Sequence, residues 1–427
     1  MGSKKKVNRY YKQFSFENLF INHFWLITIT ALLNVFVGIG WLTTLLLPIV
    51  IYAMMFKGKR TISFNIIDVL WFLSLFWMIC TWFLNDYSHK STLIIRCLAS
   101  QIAYMMVYWI ARKSSINYMH AIIKKAYVPL LITSVIGIYC FFFTPSWYQA
   151  LINKAINSKD IYMTESLIAE ISRLRSIFDS PYTLAYFIAI TLMYEWFCIV
   201  KKERVITMKY LAFIGVLVST MVLTMMRAPI AFALFAFILA IVYGLIYNAA
   251  FSVTKKMIVI FSIGMIGMFV VINNLDRTRA SHILRKYESV TNDGEEFLDS
   301  RLFLMKVKMS IDGDGAGRHA LYADKYPPNY SLRDGEYMKT IAEQGYIGLF
   351  LLLLLFGIGL IKSLWNFEYL YFEFCLISML FASMIGANPL STSDKFPIIF
   401  WLALGQISSF KSKRKNGLNY YSNVQRS

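Results

Sequence analysis

Long apolar runs alternate with short polar stretches along most of this sequence. A helix needs about 20 mostly apolar residues to cross the hydrocarbon core of a bilayer. Runs of this type occupy residues 19–56, 64–84, 92–111, 126–143, 182–200, 210–226, 229–247, 257–272, 345–361, 369–385 and 396–407. The first run is long enough for two short spans that meet near Gly38 and Gly40. The pattern therefore predicts an all-α, polytopic membrane protein with about twelve transmembrane helices, and we treat residues 1–427 as one domain.

Lysine and arginine residues flank the apolar runs on alternate sides of the predicted membrane. Such basic groups occur at Lys12 and at residues 57–60, 112–113, 201–204 and 411–415. Because cytoplasmic loops carry an excess of Lys and Arg, we expect both termini to be cytoplasmic. Two long loops then face the other side. Residues 144–180 include apolar positions at helical spacing, which predict an amphipathic helix at the membrane surface, and residues 273–344 form a large loop between the ninth and tenth spans.

Composition supports a membrane protein and argues against other classes. The chain is 58% hydrophobic and 16% charged, whereas soluble domains are about 25% charged. The net charge of +19 comes with no base-stacking or basic-groove motif, so we expect no nucleic-acid partner. The cysteines lie inside apolar runs without CxxC spacing, which is typical of small buried hydrophobic residues. Asp312 and Asp314 alternate with glycines and lack further ligands at fixed spacing, which favours a turn over a metal site.

Arginine is frequent in the predicted outer loops, where Lys and Arg are normally sparse. Arg175 lies a few residues before the sixth span, and only residues 227–228 separate the seventh span from the eighth. Both Arg175 and Arg227 are therefore expected at the level of the headgroups, where a planar guanidinium binds a phosphate through paired hydrogen bonds. The alternative is a solvated basic surface, because long translocated loops carry charges freely.

Three charged residues lie inside apolar runs. Arg96 and Glu195 are each close enough to one end of a span to extend toward the nearer interface. A functional role is the alternative, because charges inside a membrane are often functional, and it is stronger for Arg96 than for Glu195. Asp68 lies at a predicted cytoplasmic end, which indicates a structural role.

The longest polar stretch, residues 300–348, is where we expect most of the chemistry. Asp334 and Glu336 lie just before the tenth span, and His319 lies further upstream in the same loop. A carboxylate or an imidazole can take a proton from a substrate hydroxyl. Helix capping is the alternative interpretation of Asp334 and Glu336, because acidic residues stabilise the first turn of a helix.

Three segments, taken in order, resemble the O-antigen ligase and O-antigen polymerase superfamily of polytopic membrane proteins. The first is RSIFDSPYTLA at residues 175–185, an arginine followed by an aromatic residue and a polar-proline turn. The second is TMMRAPIA at 224–231, an arginine at the tip of a hairpin. The third joins the glycine-rich DGDGAG at 312–317 to Asp334-Gly335 and then GYIG at 345–348. Together the segments cover roughly the part of the chain from the sixth to the tenth span.

This resemblance implies a GT-C-like fold and a glycosyltransferase that joins repeat units carried on polyprenyl pyrophosphate, outside the plasma membrane. It implies that the pyrophosphate is bound by the loop arginines Arg175, Arg227, Arg301 and Arg318. It implies that the acceptor hydroxyl is deprotonated by one of Asp334, Glu336 and His319. No metal or cofactor is needed in this scheme, because the arginines can stabilise the charge on the leaving diphosphate.

The sequence departs from the ligase branch at one point. Ligases carry His followed by Asn, Ser or Gln where this chain has Asp334-Gly335, which favours an O-antigen or surface-polysaccharide polymerase. The alternatives are a ligase that transfers a finished glycan to another acceptor, and a transporter or flippase of lipid-linked sugars. No paired repeats typical of transporters are evident. The expected partners are the lipid-linked oligosaccharide and membrane lipid, with a chain-length regulator and a flippase as further candidates.

Overall fold

The computed structural model describes residues 15–37, 41–56, 64–85, 91–114, 116–157, 173–178, 181–201, 203–246, 262, 310–319, 332, 335–390 and 397–415. These residues form helices and connecting turns with no β-strand among them, which confirms the all-α class for this part of the chain. In chain order the helices are α1 (Phe16–Ile21), α2 (His23–Val37), α3 (Trp41–Phe56), α4 (Ile66–Leu84), α5 (Ser91–Lys113), α6 (Tyr118–Phe143), α7 (Ser146–Asn157), α8 (Pro181–Val200), α9 (Met208–Leu223), α10 (Arg227–Ile246), α11 (Glu336–Trp365), α12 (Phe367–Ser383) and α13 (Pro397–Lys415).

Four of these helices, α4, α6, α8 and α11, are long and apolar enough to cross a membrane by length and composition. Shorter apolar helical segments cover Leu46–Phe56, Met208–Leu223, Ala228–Gly244 and Pro397–Phe410. The helices are thus compatible with a membrane protein. The ninth predicted span, residues 257–272, lies outside the described residues except for position 262.

Most of the predicted runs coincide with helices. The starts of α4, α5, α8, α9, α10 and α12 differ from the predicted starts by no more than two residues. The helix predicted in the loop 144–180 is present as α7, in which Tyr148 and Ile152 pack against Cys140 of α6. Residues 158–172 of that loop lie outside the described part of the chain.

Two predicted boundaries are wrong. The fifth run was predicted to start at residue 126, but α6 already begins at Tyr118, with Asn117 as its cap. The Asn117 side chain accepts from the His120 N–H at 3.2 Å. Lys124 and Lys125 therefore lie within α6. They are tolerated there because the long side chain of lysine lets its ammonium group extend away from the helix. The tenth run was predicted to start at residue 345, but α11 begins at Glu336, so the last part of the predicted loop 273–344 is helical.

The predicted two-residue turn at 227–228 is also wrong. The turn occupies residues 224–226, with Met225 at a φ of 56°, and Arg227 is the first residue of α10. Proline is tolerated in the first turn of a helix because its missing N–H has no partner there in any case. Pro229 therefore allows α10 to begin two residues earlier than the apolar pattern indicates.

α8 is buried almost throughout and lies at the centre of the described bundle. Near its C-terminal end Phe197 stacks on Tyr371, which is near the start of α12, with ring centroids 5.9 Å apart. Tyr243, near the end of α10, lies 5.4 Å from the same Tyr371 ring. Both α8 and α10 therefore run antiparallel to α12, and both begin at the end of the bundle where α12 finishes.

α11 begins at that same end. The Glu336 N–H donates to the carbonyl of Ala387, just beyond α12, at 2.9 Å. The end of the bundle that carries Pro181, Arg227 and Glu336 is called the loop end below. It brings together the starts of three helices whose first residues are far apart in the sequence.

The opposite end is fixed by a buried carboxylate on α4. Asp68 forms an ion pair with Arg112 of α5 and accepts from the Tyr108 hydroxyl at 2.6 Å. It also completes a capping box with Asn65 at the start of α4. These contacts give Asp68 the structural role indicated by its position in the sequence.

A second buried carboxylate fixes α6, α8 and α9 to one another. Glu195 is fully buried and accepts from Arg204 at 3.1 Å, from the Tyr210 hydroxyl at 2.9 Å and from the Tyr127 hydroxyl. The expectation that Glu195 extends toward an interface is therefore wrong, because its charge is compensated inside the bundle. The side chain of Arg96 lies outside the described part of the structure.

Candidate functional site

The glycine-rich turn at residues 312–317 packs directly on α11. Its glycines Gly313, Gly315 and Gly317 all have a positive φ, between 75° and 104°. The Asp314 N–H donates to the carbonyl of Ala342 at 2.6 Å, and the Gly315 N–H donates to the carbonyl of Glu343 at 2.8 Å. The predicted turn is thus present, and it joins the start of α11 through backbone hydrogen bonds.

α11 is kinked where the turn contacts it. Gly345 has a φ of 67°, and a Cβ atom there would lie 2.0 Å from the carbonyl oxygen of Ile311. A kink leaves helix carbonyls in need of other donors. Trp77 of α4 supplies one, because its indole N–H donates to the Gln344 carbonyl at 2.8 Å. The glycine-rich motif and the GYIG motif of the sequence are therefore in direct contact, and a side chain on Gly345 would separate them.

Two buried carboxylates project from the first turns of α11. Glu343 is 2% exposed, and one of its oxygens accepts from the His319 backbone N–H at 3.0 Å. Glu336 is 4% exposed, and its carboxylate accepts from the Leu390 N–H at 3.0 Å. Each carboxylate thus binds a segment that covers α11.

Glu336 is the first residue of α11 and the acidic residue of its first turn, as the capping interpretation expects. The residue before α11 is Gly335, with a φ of 91° and no side-chain hydrogen bond to the helix. The Glu336 carboxylate also accepts from the Leu390 N–H, which belongs to a different segment. Asp334 lies outside the described residues.

Asn388 also contacts the segments around the start of α11. Its side-chain amide donates to the Leu332 carbonyl at 2.6 Å, while its Oδ1 is buried without a hydrogen-bond partner among the described residues. The Leu332 N–H in turn donates to the His319 carbonyl at 3.1 Å. The turn, Leu332 and residues 387–390 are thus joined around the start of α11.

His319 and Arg318 both lie near Asp314 on the turn. The His319 imidazole is fully buried, with Nε2 3.6 Å from an Asp314 carboxylate oxygen. Arg318 is partly exposed, and its guanidinium is 4.0 Å from the other oxygen of Asp314. The predicted site residues His319 and Arg318 therefore share Asp314 as an acidic neighbour.

A cleft opens beside Glu336 and Glu343, between α4, α5, α11 and α13. Its empty volume is about 620 Å³, including the space open to solvent at its mouth. Its lining residues are Ser74, Met78, Gln101, Met105, Glu336, Thr340, Glu343, Gln344, Gly348, Leu352, Leu355, Leu390 and Trp401. Since α-helices rise 1.5 Å per residue, the Cα atoms of the two glutamates are separated by about 10 Å along the α11 axis. The cleft is acidic and polar along one part and apolar along the other.

The segment 173–178 carries Arg175 into the bundle. The Leu174 N–H donates to the Leu223 carbonyl at the end of α9 at 2.9 Å. The Ser176 hydroxyl donates to the Thr133 carbonyl of α6 at 2.6 Å. Arg175 itself is only 1% exposed, which makes it the largest fully buried side chain among the described residues.

The structure places some of the predicted site residues at the same end of the bundle. The Leu174 contact places the Arg175 segment against the turn that precedes Arg227, and Glu336 lies at the same loop end of the bundle. The side chain of Arg227 is outside the described part of the structure, and Arg301 and Asp334 are outside it entirely. Arg318 lies on the glycine-rich turn, beside Asp314.

Glu343 lies in the polar stretch 300–348 but was not among the predicted bases. The signal was present, because Glu336, Thr340 and Glu343 follow the i, i+4, i+7 spacing of one helix face. The apolar pattern started the tenth span at residue 345, so these positions were assigned to a loop. Ser74 and Gln101 were missed for a different reason: a single polar residue in an apolar run carries no positional information.

Chemically, the loop end combines a buried guanidinium with buried carboxylates. A guanidinium stabilises an anion, and a buried carboxylate can act as a general base when a hydroxyl lies within hydrogen-bond reach. Among the described residues no group of three or more His, Cys, Asp and Glu side chains is arranged to hold a metal ion. No protein-family model, curated protein or solved structure matches this chain.

Proposed function

We propose that this protein is a membrane glycosyltransferase that polymerises a surface polysaccharide. The donor is a growing glycan on polyprenyl pyrophosphate, and the acceptor is a new lipid-linked repeat unit. The observation that carries the proposal is the burial of Arg175 beside the turn before α10, at the same end of the bundle as Glu336. A buried cation within a bundle of apolar helices is costly, so it indicates a functional site.

The proposed topology has about twelve spans, with the loop end facing the outside of the plasma membrane. Support comes from the opposite end, where Arg112 and Lys113 are the last residues of α5 and where Lys201 and Arg204 follow α8. The excess of cations at that end fits a cytoplasmic location. Both termini would then be cytoplasmic, and the lipid-linked substrates would enter the loop end from the outer leaflet.

The reaction needs a stabilised leaving group. When the acceptor hydroxyl oxygen bonds to C1 of the donor sugar, the bond from C1 to the phosphate oxygen breaks. The polyprenyl pyrophosphate then leaves with the bonding electrons and an extra negative charge. Arg175 and Arg227 would stabilise that charge, and fixed cations in a site with little water do so more strongly than cations in solution. Arg301 and Arg318 are further candidates for this role.

The acceptor hydroxyl also needs a base. Of the predicted bases in the described part of the chain, Glu336 is favoured because it lines the cleft, whereas His319 is fully buried and is not among the cleft-lining residues. Glu343 joins it as a candidate because it lines the same cleft. In this scheme one of these carboxylates takes the proton of the acceptor hydroxyl as the new glycosidic bond forms. Asp334 remains a predicted alternative.

The test is transfer by purified protein in lipid nanodiscs that are supplied with lipid-linked repeat units. A polymerase gives a ladder of products, whereas a ligase gives a single transfer. The Arg227→Ala variant should lose most of the product, and Arg227→Lys, which keeps the charge but not the paired donors, should recover only part of it. A wild-type ladder from Arg227→Ala would refute the assigned role of that arginine, and a single product from the wild type would refute polymerisation.

A further inference from the structure

The charge of the cleft differs from that of residues 173–178, which carry Arg175 and are called the arginine segment below. The residues that line the cleft include the carboxylates of Glu336 and Glu343 and no Lys, Arg or His side chain. Lys339 lies between the two glutamates in sequence and is buried, but it is not a lining residue. A group that enters the cleft therefore meets negative charge, and like charges are strongly disfavoured where little water is present. A diphosphate fits the arginine segment and not this cleft.

The remaining polar lining suits a sugar. Ser74 of α4 and Gln101 of α5 lie in otherwise apolar helices, and both line the cleft. The Ser74 hydroxyl is buried without a hydrogen-bond partner among the described residues. A buried hydroxyl without a partner is unusual in a folded protein and indicates that a ligand or water completes it. Thr340, on α11 between the two glutamates, adds a third uncharged polar group.

The apolar part of the cleft supports the same ligand class. Met78 and Met105 lie on α4 and α5, and Leu352 and Leu355 lie on α11. Trp401 of α13 adds an aromatic surface. Ligand sites commonly combine apolar and aromatic walls with a few placed polar groups. A sugar ring offers hydroxyls at its edge and C–H groups on its face, so it matches both parts of this lining.

We infer that the cleft is the subsite for the terminal sugar of the acceptor, and that it selects a neutral or amino-bearing sugar and rejects a uronic acid. The assignment of the cleft to the acceptor rests on the proposed function. The selectivity among sugars is a binding property and can be measured without the reaction. Carboxylates hydrogen-bond to sugar hydroxyls and pair with an ammonium group, whereas they repel a sugar carboxylate. The two glutamates thus have a role in specificity besides that of a base.

The experiment uses three soluble probes: methyl glucoside, methyl 2-amino-2-deoxyglucoside and methyl glucuronide. Binding to the full-length protein in nanodiscs is measured at neutral pH by saturation-transfer NMR, which detects weak ligands. We expect the glucuronide to bind about tenfold more weakly than the neutral glycoside, and the amino glycoside to bind most tightly. Equal binding of all three, or binding of none, would overturn the inference.

Two variants separate selectivity from a failure to fold. The Glu336→Gln/Glu343→Gln double variant should bind the three probes about equally. The Gln101→Lys variant places a cation at a partly exposed position of the cleft lining. It should therefore move the binding preference toward the glucuronide. An unchanged preference in a folded Gln101→Lys protein would also overturn the inference. This readout needs no glycan transfer. If the wild-type protein showed the expected selectivity but did not polymerise lipid-linked repeat units, the proposed function alone would be refuted.

Discussion

The backbone N–H of His319 donates a hydrogen bond to the Glu343 carboxylate at 3.0 Å. This one contact joins the glycine-rich turn to the wall of the acidic cleft, because Glu343 is also a lining residue. The turn therefore fixes a carboxylate of the cleft wall, whereas the His319 imidazole is not among the cleft-lining groups. Any change that moves the turn should alter the cleft even when no lining residue is replaced.

Gly345→Ala should separate the turn from α11. The residue has a φ of 67°, and the new Cβ would collide with the Ile311 carbonyl. We expect a loss of about 1–3 kcal/mol in the free energy of unfolding, from backbone strain alone, and a marked loss of activity in the surviving folded protein. Unfolding in detergent, followed by helical circular dichroism, measures the first effect, and product formation measures the second.

Gly357→Ala is the matched control in the same helix. A Cβ at Gly357 would meet no atom within 4 Å, so the substitution should stabilise α11 by up to about 1 kcal/mol or leave it unchanged. Similar unfolding curves for the two variants would contradict the description of the kink.

Arg175→Lys tests the buried guanidinium. Lysine keeps the positive charge but loses the planar set of donors that binds a diphosphate. We expect turnover to fall by about 10²-fold, the effect typical of losing one donor to a developing anion. The measurement is the initial rate of glycan transfer at saturating lipid-linked substrate, normalised to folded protein.

Arg112→Lys is the corresponding control at the opposite end of the bundle. Arg112 pairs with Asp68 on α4, so its replacement should lower the stability and leave the rate per folded molecule unchanged. If Arg175→Lys retained full turnover, or if Arg112→Lys lost it to the same extent, the arginine segment would not be the diphosphate site.

The Glu195–Arg204 pair should contribute to stability and not to catalysis. Glu195 is fully buried, and its carboxylate accepts from Nε and Nη2 of Arg204. Replacing Glu195 by Gln should cost on the order of 3 kcal/mol, because a partly buried guanidinium then loses its compensating charge. The double variant Glu195→Gln/Arg204→Gln should recover part of this loss. A double-mutant cycle by chemical unfolding measures the coupling, and additive losses would exclude it.

The sequence predicted the helices well because apolar length is a strong signal that needs no tertiary information. The errors lie where a tertiary contact overrides that signal. α11 begins nine residues before the apolar run, since the polar residues of its first turns bind the glycine-rich turn and residues 387–390. The start of α6 was missed for a related reason, because its lysines are tolerated within a helix.

The candidate site was predictable only in part. Arg175 and Glu336 were found from their positions near the ends of apolar runs, and the two glycine motifs from the family resemblance. Their mutual arrangement depends on the antiparallel packing of α8 and α12, which the order of residues along the chain does not specify. Glu343 was within reach of a helical-spacing argument, whereas the polar lining from α4 and α5 required the structure.

The most direct test of the acidic cleft replaces each carboxylate by its amide and measures the product ladder in nanodiscs. Glutamine keeps an oxygen that can accept from Leu390 or His319, so Glu336→Gln and Glu343→Gln should fold. Asp312→Asn is the matched control, because Asp312 is an exposed carboxylate on the glycine-rich turn that packs on α11. We predict a wild-type ladder from Asp312→Asn and a rate lowered by about 10²–10⁴-fold in at least one of the two glutamine variants. Wild-type ladders from both glutamine variants would contradict the assignment of this cleft as the catalytic site.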